Sequence, residues 1–139
     1  MGRVAESDES MMNLLIYQPS VSEKGRRFLD GVDQMPPGVK VEVFDTRAAF
    51  IRRLRQPKDQ AAIVIIFEPS HEDLEEVRNA RQSLVNVPLL LVLSDQDVAT
   101  MTLAHRLLPS YITYMDSNPS QLFSVINKLL PAGQEARKA

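Results

Sequence analysis

The feature that most constrains this chain is the regular recurrence of short apolar runs. AAIVIIF (61–67) and PLLLVL (88–93) are almost wholly apolar and too short to form buried helices. Runs of that length with no polar face suit strands covered on both sides, as in the centre of a parallel sheet. Asn13–Tyr17 and Tyr111–Met115 are two further short runs. VKVEVF (39–44) instead alternates apolar and charged residues, which predicts a half-buried strand at a sheet edge.

Helical patterns fill the intervals. Ser20-Val21-Ser22-Glu23 has capping-box spacing and opens a helix, running to about Val32, that buries Phe28, Leu29 and Val32. Gly31 and the Pro36-Pro37-Gly38 turn punctuate its exit. Asp45 or Thr46 caps a second helix, with Phe50, Ile51 and Leu54 inside, Arg47, Arg52, Arg53 and Arg55 outside, and Pro57 as its stop. Ser70-x-x-Asp73 caps a third, carrying Leu74, Val77, Ala80, Arg81 and Leu84 in step. Asp95 or Asp97 starts a short fourth helix with Val98, Met101, Leu107 and Leu108. Asn118-Pro119-x-Gln121 opens the last, which buries Leu122, Phe123, Val125, Ile126 and Leu129 ahead of Pro131. Five strands alternating with five helices predict an α/β, flavodoxin-like three-layer sandwich, its parallel sheet ordered 2-1-3-4-5.

At 139 residues the chain suits one domain, expected over 12–131, between a disordered tail (1–11) and a frayed one (132–139). The opening MGRVAESDES lacks the apolar core of a signal peptide, and no apolar stretch reaches the ~20 residues that span a bilayer. With no cysteine there is no disulfide, zinc-thiolate site or thiol nucleophile. These features lead to the expectation of a cytoplasmic protein without a membrane partner. A net charge of −2 argues against nucleic acid, and the basic stretch RRLRQPK has no interleaved aromatics to stack bases. GxGxxG, GxxxxGK[ST] and GxSxG are all missing, so no nucleotide or flavin cofactor and no catalytic triad is expected. His71 and Glu75 share a helix face but are too few to make a metal site.

In an open parallel sheet, ligands bind at the carboxyl ends of the strands where strand order reverses. The residues there are Gln18, Pro19 and Ser20; Glu68, Pro69 and Ser70; Ser94 and Asp95; and Tyr114, Met115 and Asp116. This layout resembles the response-regulator receiver family. PLLLVLSDQD is similar to a receiver's fourth strand, whose closing hydroxyl matches Ser94. LLPSYITYMDSNPSQLFSVI is similar to its fifth strand and last helix, with Tyr111 at the family's aromatic position. The departures matter more. The family's acidic pair after strand one is replaced by IYQPS, its acceptor aspartate by Glu68, and its lysine by Tyr114, with Met115 in place of the following proline.

Phosphoryl transfer to a carboxylate needs a metal and a cation to handle charge, and Mg²⁺ usually takes one or two carboxylates. The resemblance therefore implies a receiver-like protein-binding module of bacterial signalling, without enzymatic activity, independent of phosphorylation and without a cofactor. Gln18, Glu68, Ser94 and Tyr114 would form a vestigial phospho-site, with Glu68 either a permanent mimic of a phosphorylated aspartate or a loop residue favoured by the next helix's dipole. By resemblance, the face of helix four, strand five and helix five would meet an unidentified protein or a second copy, through Met101, His105, Tyr111, Tyr114 and Phe123. Two alternatives stand beside this: a small flavodoxin-like enzyme or phosphate-ligand-binding domain using Ser20, Ser22, Glu68 and Ser94, and an atypical receiver that is still phosphorylated.

Overall fold

Five parallel strands run in the order β2-β1-β3-β4-β5. They are β1 (Met12–Tyr17), β2 (Val39–Phe44), β3 (Ala61–Phe67), β4 (Leu89–Leu93) and β5 (Tyr111–Tyr114). The helices are α1 (Glu23–Val32), α2 (Arg47–Arg55), α3 (His71–Asn79), α4 (Val98–Arg106) and α5 (Pro119–Leu129). The computed structural model describes residues 12–19, 23–32, 38–56, 61–94, 96–115 and 118–129. Both expected tails lie outside them, as do Ser20, Ser22, Pro36, Pro37, Pro57, Asp95, Asp116 and Pro131.

Strand order and element alternation follow the pattern read from the sequence, and the reason is visible in burial. β1 and β4 are buried at every position, and β3 from Ala62 to Phe67, so each needs a layer on both faces. Successive side chains point to opposite faces. Leu15, Tyr17, Val64, Ile66, Leu91 and Leu93 therefore join Phe50, Leu74 and Ala104 from α2, α3 and α4. Leu14, Ile16, Ile63, Ile65, Leu90 and Val92 join Phe28 of α1 with Leu122 and Ile126 of α5. Each fully buried leucine or isoleucine contributes about 1.5–3 kcal/mol. β2 is an edge strand with no fully buried residue: Lys40 and Val43 are exposed and the other four are half-buried, so its burial does not follow the strict alternation of its sequence.

Several local details differ from the sequence expectation. Gly31 lies at the exit of α1, one residue before its end, and it has a packing reason the sequence did not show: a Cβ there would come 2.8 Å from the Phe123 ring. That ring stacks on Phe28 at 4.8 Å, so the glycine is what allows α1 and α5 to close on each other. The α3 pattern stops being α-helical at Asn79 and tightens into a 3-10 turn over Arg81–Leu84. Ala80 and Leu84 remain buried, while the Arg81 guanidinium donates to the carbonyls of Leu84, Leu107 and Leu108. In α4 the inward residues are Thr100 and Ala104, followed by Leu107 just beyond it, whereas Val98 and Leu108 stand in solvent at 79% and 76% exposure. The sequence reading counted Val98 and Leu108 among the apolar residues of this helix; Val98 lies on its outward side, and Leu108, beyond the helix end, is exposed on a left-handed backbone.

Candidate functional site

The carboxyl ends of β1, β3, β4 and β5 form one rim, since these strands are neighbours in that order. Gln18 follows β1, Glu68 follows β3, Ser94 follows β4, and Tyr114 ends β5. Their environments diverge. Gln18 is buried; its backbone N–H donates to the Phe44 carbonyl at 2.9 Å, and its side-chain Nε2 has no hydrogen-bond partner among the described residues. Glu68 is half-buried and holds a left-handed backbone (φ 48°), with its N–H on the Val92 carbonyl. Such a φ costs a non-glycine residue about 1 kcal/mol. Ser94 is exposed. The Tyr114 hydroxyl lies 3.6 Å from Met101 Sδ of α4, under the helix layer.

The most organised polar cluster at this rim was not singled out from sequence. Tyr17, the last residue of β1, donates its hydroxyl to Asp73 Oδ1 at 3.0 Å, and Arg47 donates to the same oxygen at 3.2 Å. Asp73 Oδ2 accepts the Ser70 backbone N–H at 2.8 Å, while Ser70 Oγ accepts the Asp73 N–H, completing a capping box. Glu72 lies 3.6 Å from the same guanidinium. One buried carboxylate thus ties β1, the first turn of α2 and the first turn of α3. Arg47 sits at the end of α2 where the helix dipole disfavours a cation, and Asp73 offsets that. Burial, then the neighbouring Asp73 carboxylate, pushes the Tyr17 phenol up to about 12. Its ring stacks on Phe50 at 4.8 Å.

The sequence did signal part of this. Ser70-x-x-Asp73 is legible as a capping box, but only the fold brings Tyr17 and Arg47 to its carboxylate. His71, considered above with Glu75, has its Nε2 at 2.9 Å from Thr100 Oγ1 and joins α3 to α4. Among the described residues, no three His, Asp or Glu side chains gather as metal ligands. No described helix is long and apolar enough to cross a membrane.

The residues expected on the interaction face separate into two groups. Met101 is half-buried and His105 exposed, both on α4. Tyr111 and Tyr114 point to opposite faces of edge strand β5, Tyr111 toward the α1–α5 core and Tyr114 toward α4. Phe123 belongs to the α1–α5 packing through Phe28. Val98 and Leu108 were missed as surface residues. Leu108 is unusual in a second way: just beyond the α4 cap residue Leu107, it adopts φ 52° and donates its N–H to the His105 carbonyl. That is the position where helices commonly place glycine.

No protein-family model matches the chain, and no curated protein sequence matches it. Solved structures do. A CheY-like response-regulator receiver domain from Methanospirillum hungatei has a TM-score of 0.65 at 15% identity, covering 94% of this chain and 100% of that one. A CheY-like response regulator from Mesorhizobium loti has a TM-score of 0.62 at 19% identity, covering 84% and 97%. The signal receiver domain of a diguanylate cyclase from Desulfovibrio desulfuricans has a TM-score of 0.53 at 22% identity, covering 84% and 90%. At these identities the likeness establishes the fold.

Proposed function

We propose, from the CheY-like receiver fold that this chain carries, that it is a protein-binding module of bacterial signal transduction that works without phosphoryl transfer. The observation that carries this reading is the state of the β1 carboxyl end. Where the receiver family keeps the acidic pair that holds Mg²⁺, this chain has Tyr17, whose phenol donates to Asp73, and Gln18, a buried neutral amide. Asp73 itself accepts from Tyr17, Arg47 and the Ser70 N–H. A carboxylate with three donors already in place is a poor Mg²⁺ ligand, since binding would cost it those bonds. At the opposite end of the rim, Tyr114 is neutral where the family has a cation, and its hydroxyl rests on Met101. Gln18, Glu68, Ser94 and Tyr114 thus stand at the positions of the family's site, and of its charges only one carboxylate, that of Glu68, remains.

Binding falls to the α4 side. Val98, Met101 and His105 recur at spacings of three and four residues, which aligns them on one face of α4, and Leu108 follows just beyond its C-terminal cap on a left-handed backbone. Two of the four are large apolar side chains in solvent. A protein partner would cover them, with Tyr111 and Tyr114 at the adjoining edge. A second copy on this α4–β5–α5 face is the homotypic form of the same contact.

The test is an amide-resolved NMR titration with Mg²⁺, then with Mg²⁺ and beryllofluoride, which imitates a phosphoryl group on a carboxylate. The amides of Gln18, Glu68, Ser94 and Tyr114 are expected to stay in place. Concerted shifts at these positions that spread to Tyr111 would make the protein a working phospho-receiver and end this reading.

A further inference from the structure

β2 has β1 on one side and, among the described residues, no strand on the other. It runs six residues without proline, and an unpaired edge of that kind is a template for another strand. Two bonds show which of its backbone groups face outward. The Met12 N–H donates to the Gly38 carbonyl at 3.3 Å, and the Gln18 N–H donates to the Phe44 carbonyl at 2.9 Å. Backbone groups of successive strand residues turn to opposite edges, so positions 38, 40, 42 and 44 face β1. Val39, Val41 and Val43 direct their N–H and C=O groups away from the sheet.

We propose that this edge joins two copies of the chain through antiparallel, two-fold pairing of β2 centred on Val41. In an antiparallel ladder the outward-facing residues exchange both of their hydrogen bonds. Val41 then faces Val41 of the second copy, and Val39 faces Val43. Lys40 falls opposite Glu42 at the intervening positions, where side chains approach most closely. The strand's own sequence, V-K-V-E-V, places the two opposite charges symmetrically about Val41.

Neighbouring registers fail on charge. Sliding the axis to Lys40 brings Lys40 against Lys40; sliding it to Glu42 brings Glu42 against Glu42. Like charges directly opposite are destabilising. The side chains are also prepared for the Val41-centred register. Lys40 is exposed and has no ion-pair partner within its own chain among the described residues. Glu42 is held by Arg53 of α2 through bonds of 3.0 and 3.2 Å, which fixes the carboxylate and leaves lone pairs for a further donor. Val43 is 48% exposed, and the second copy's Val39 would lie across from it. This surface is at the far edge of the sheet from β5 and does not depend on the α4 reading.

Sedimentation velocity of the full chain over a concentration series is expected to show a monomer–dimer equilibrium. Val41→Pro removes an outward N–H and leaves the bonds to β1 intact, as proline is tolerated on the solvent side of an edge strand. It should weaken the dimer by at least ~10-fold. Lys40→Glu and Glu42→Lys should each be monomeric alone and form a heterodimer when mixed, because the mixture restores opposite charges at both positions. A chain that stays monomeric at every concentration overturns the proposal. So does a dimer that survives Val41→Pro, or one that is lost with Val98→Ser instead, which would move the contact to α4. Should Val41→Pro fail to fold, the charge variants decide: no heterodimer on mixing overturns the inference.

Discussion

The carboxyl end of β1 and the outer face of α4 are built on opposite terms. At β1 the polar groups are buried and engaged: Asp73 accepts from Tyr17, Arg47 and Ser70, and the Tyr17 ring is stacked on Phe50. On α4 the apolar groups are left in water, with Val98 and Leu108 more than two-thirds exposed. The first region contributes to stability and offers little to a ligand. The second contributes little to stability and has binding free energy still to gain. In one place the polar groups are consumed by the fold itself; in the other the apolar groups are left over.

Removing the hub of the network should produce the largest effect. Asp73→Ala leaves the buried Tyr17 hydroxyl and the Ser70 N–H without an acceptor and abolishes the capping box, so urea unfolding should show a loss of about 3 kcal/mol. A loss below about 1 kcal/mol would mean that the β1 end is no more consolidated than α4.

Tyr17→Phe is the next largest. It deletes one buried hydrogen bond, a loss of about 1 kcal/mol near neutral pH. Its signature lies at alkaline pH. The folded state holds the Tyr17 proton up to about 12, against 10 for an ordinary tyrosine. The stabilisation is therefore complete below pH 10 and is lost as pH rises from 10 to 12. Wild-type stability should fall across that window more steeply than the variant's, and an absorbance titration of the folded protein should show one tyrosine ionising late.

Leu108→Gly tests the other side with the opposite sign. Relief of φ 52° should raise stability by about 1 kcal/mol, while the affinity for a protein partner falls. A residue whose removal stabilises the fold and weakens binding would identify α4 as the working surface. Smallest of all, Val98→Ser should leave the unfolding free energy in urea within about 0.5 kcal/mol of wild type, because the side chain is already solvated. A larger loss would show that Val98 contributes to the core after all.

Several features were legible because they are local. The apolar run at 61–67 and the alternation of VKVEVF distinguish a central strand from an edge without reference to any neighbour. Ser70 and Asp73 lie three residues apart, so their capping box is written in adjacent sequence. Tyr17 meets Asp73 across 56 residues, and no periodicity carries that information. Gly31 read as a helix exit, and α1 does end one residue later; the packing reason for a glycine there, the Phe123 ring, comes from the last helix.

By itself, the sequence determined the element order, the strand that lies at an edge, the starts of α2 and α3, and the receiver-like arrangement in which Gln18, Glu68, Ser94 and Tyr114 stand at the carboxyl rim. Those follow from the period of apolar residues and from short-range capping, both of which act within one or two turns of chain. The tertiary structure alone decided which polar groups are consumed and which apolar groups are left over. Helix phase turned Thr100 and Ala104 inward and Val98 outward, and the turn after α4 buried Leu107 and left Leu108 exposed. Packing of β1 against α2 and α3 closed Tyr17, Arg47 and Asp73 into one network. Hydrophobicity is a property of each residue, but being buried or bonded depends on what the rest of the chain brings to it.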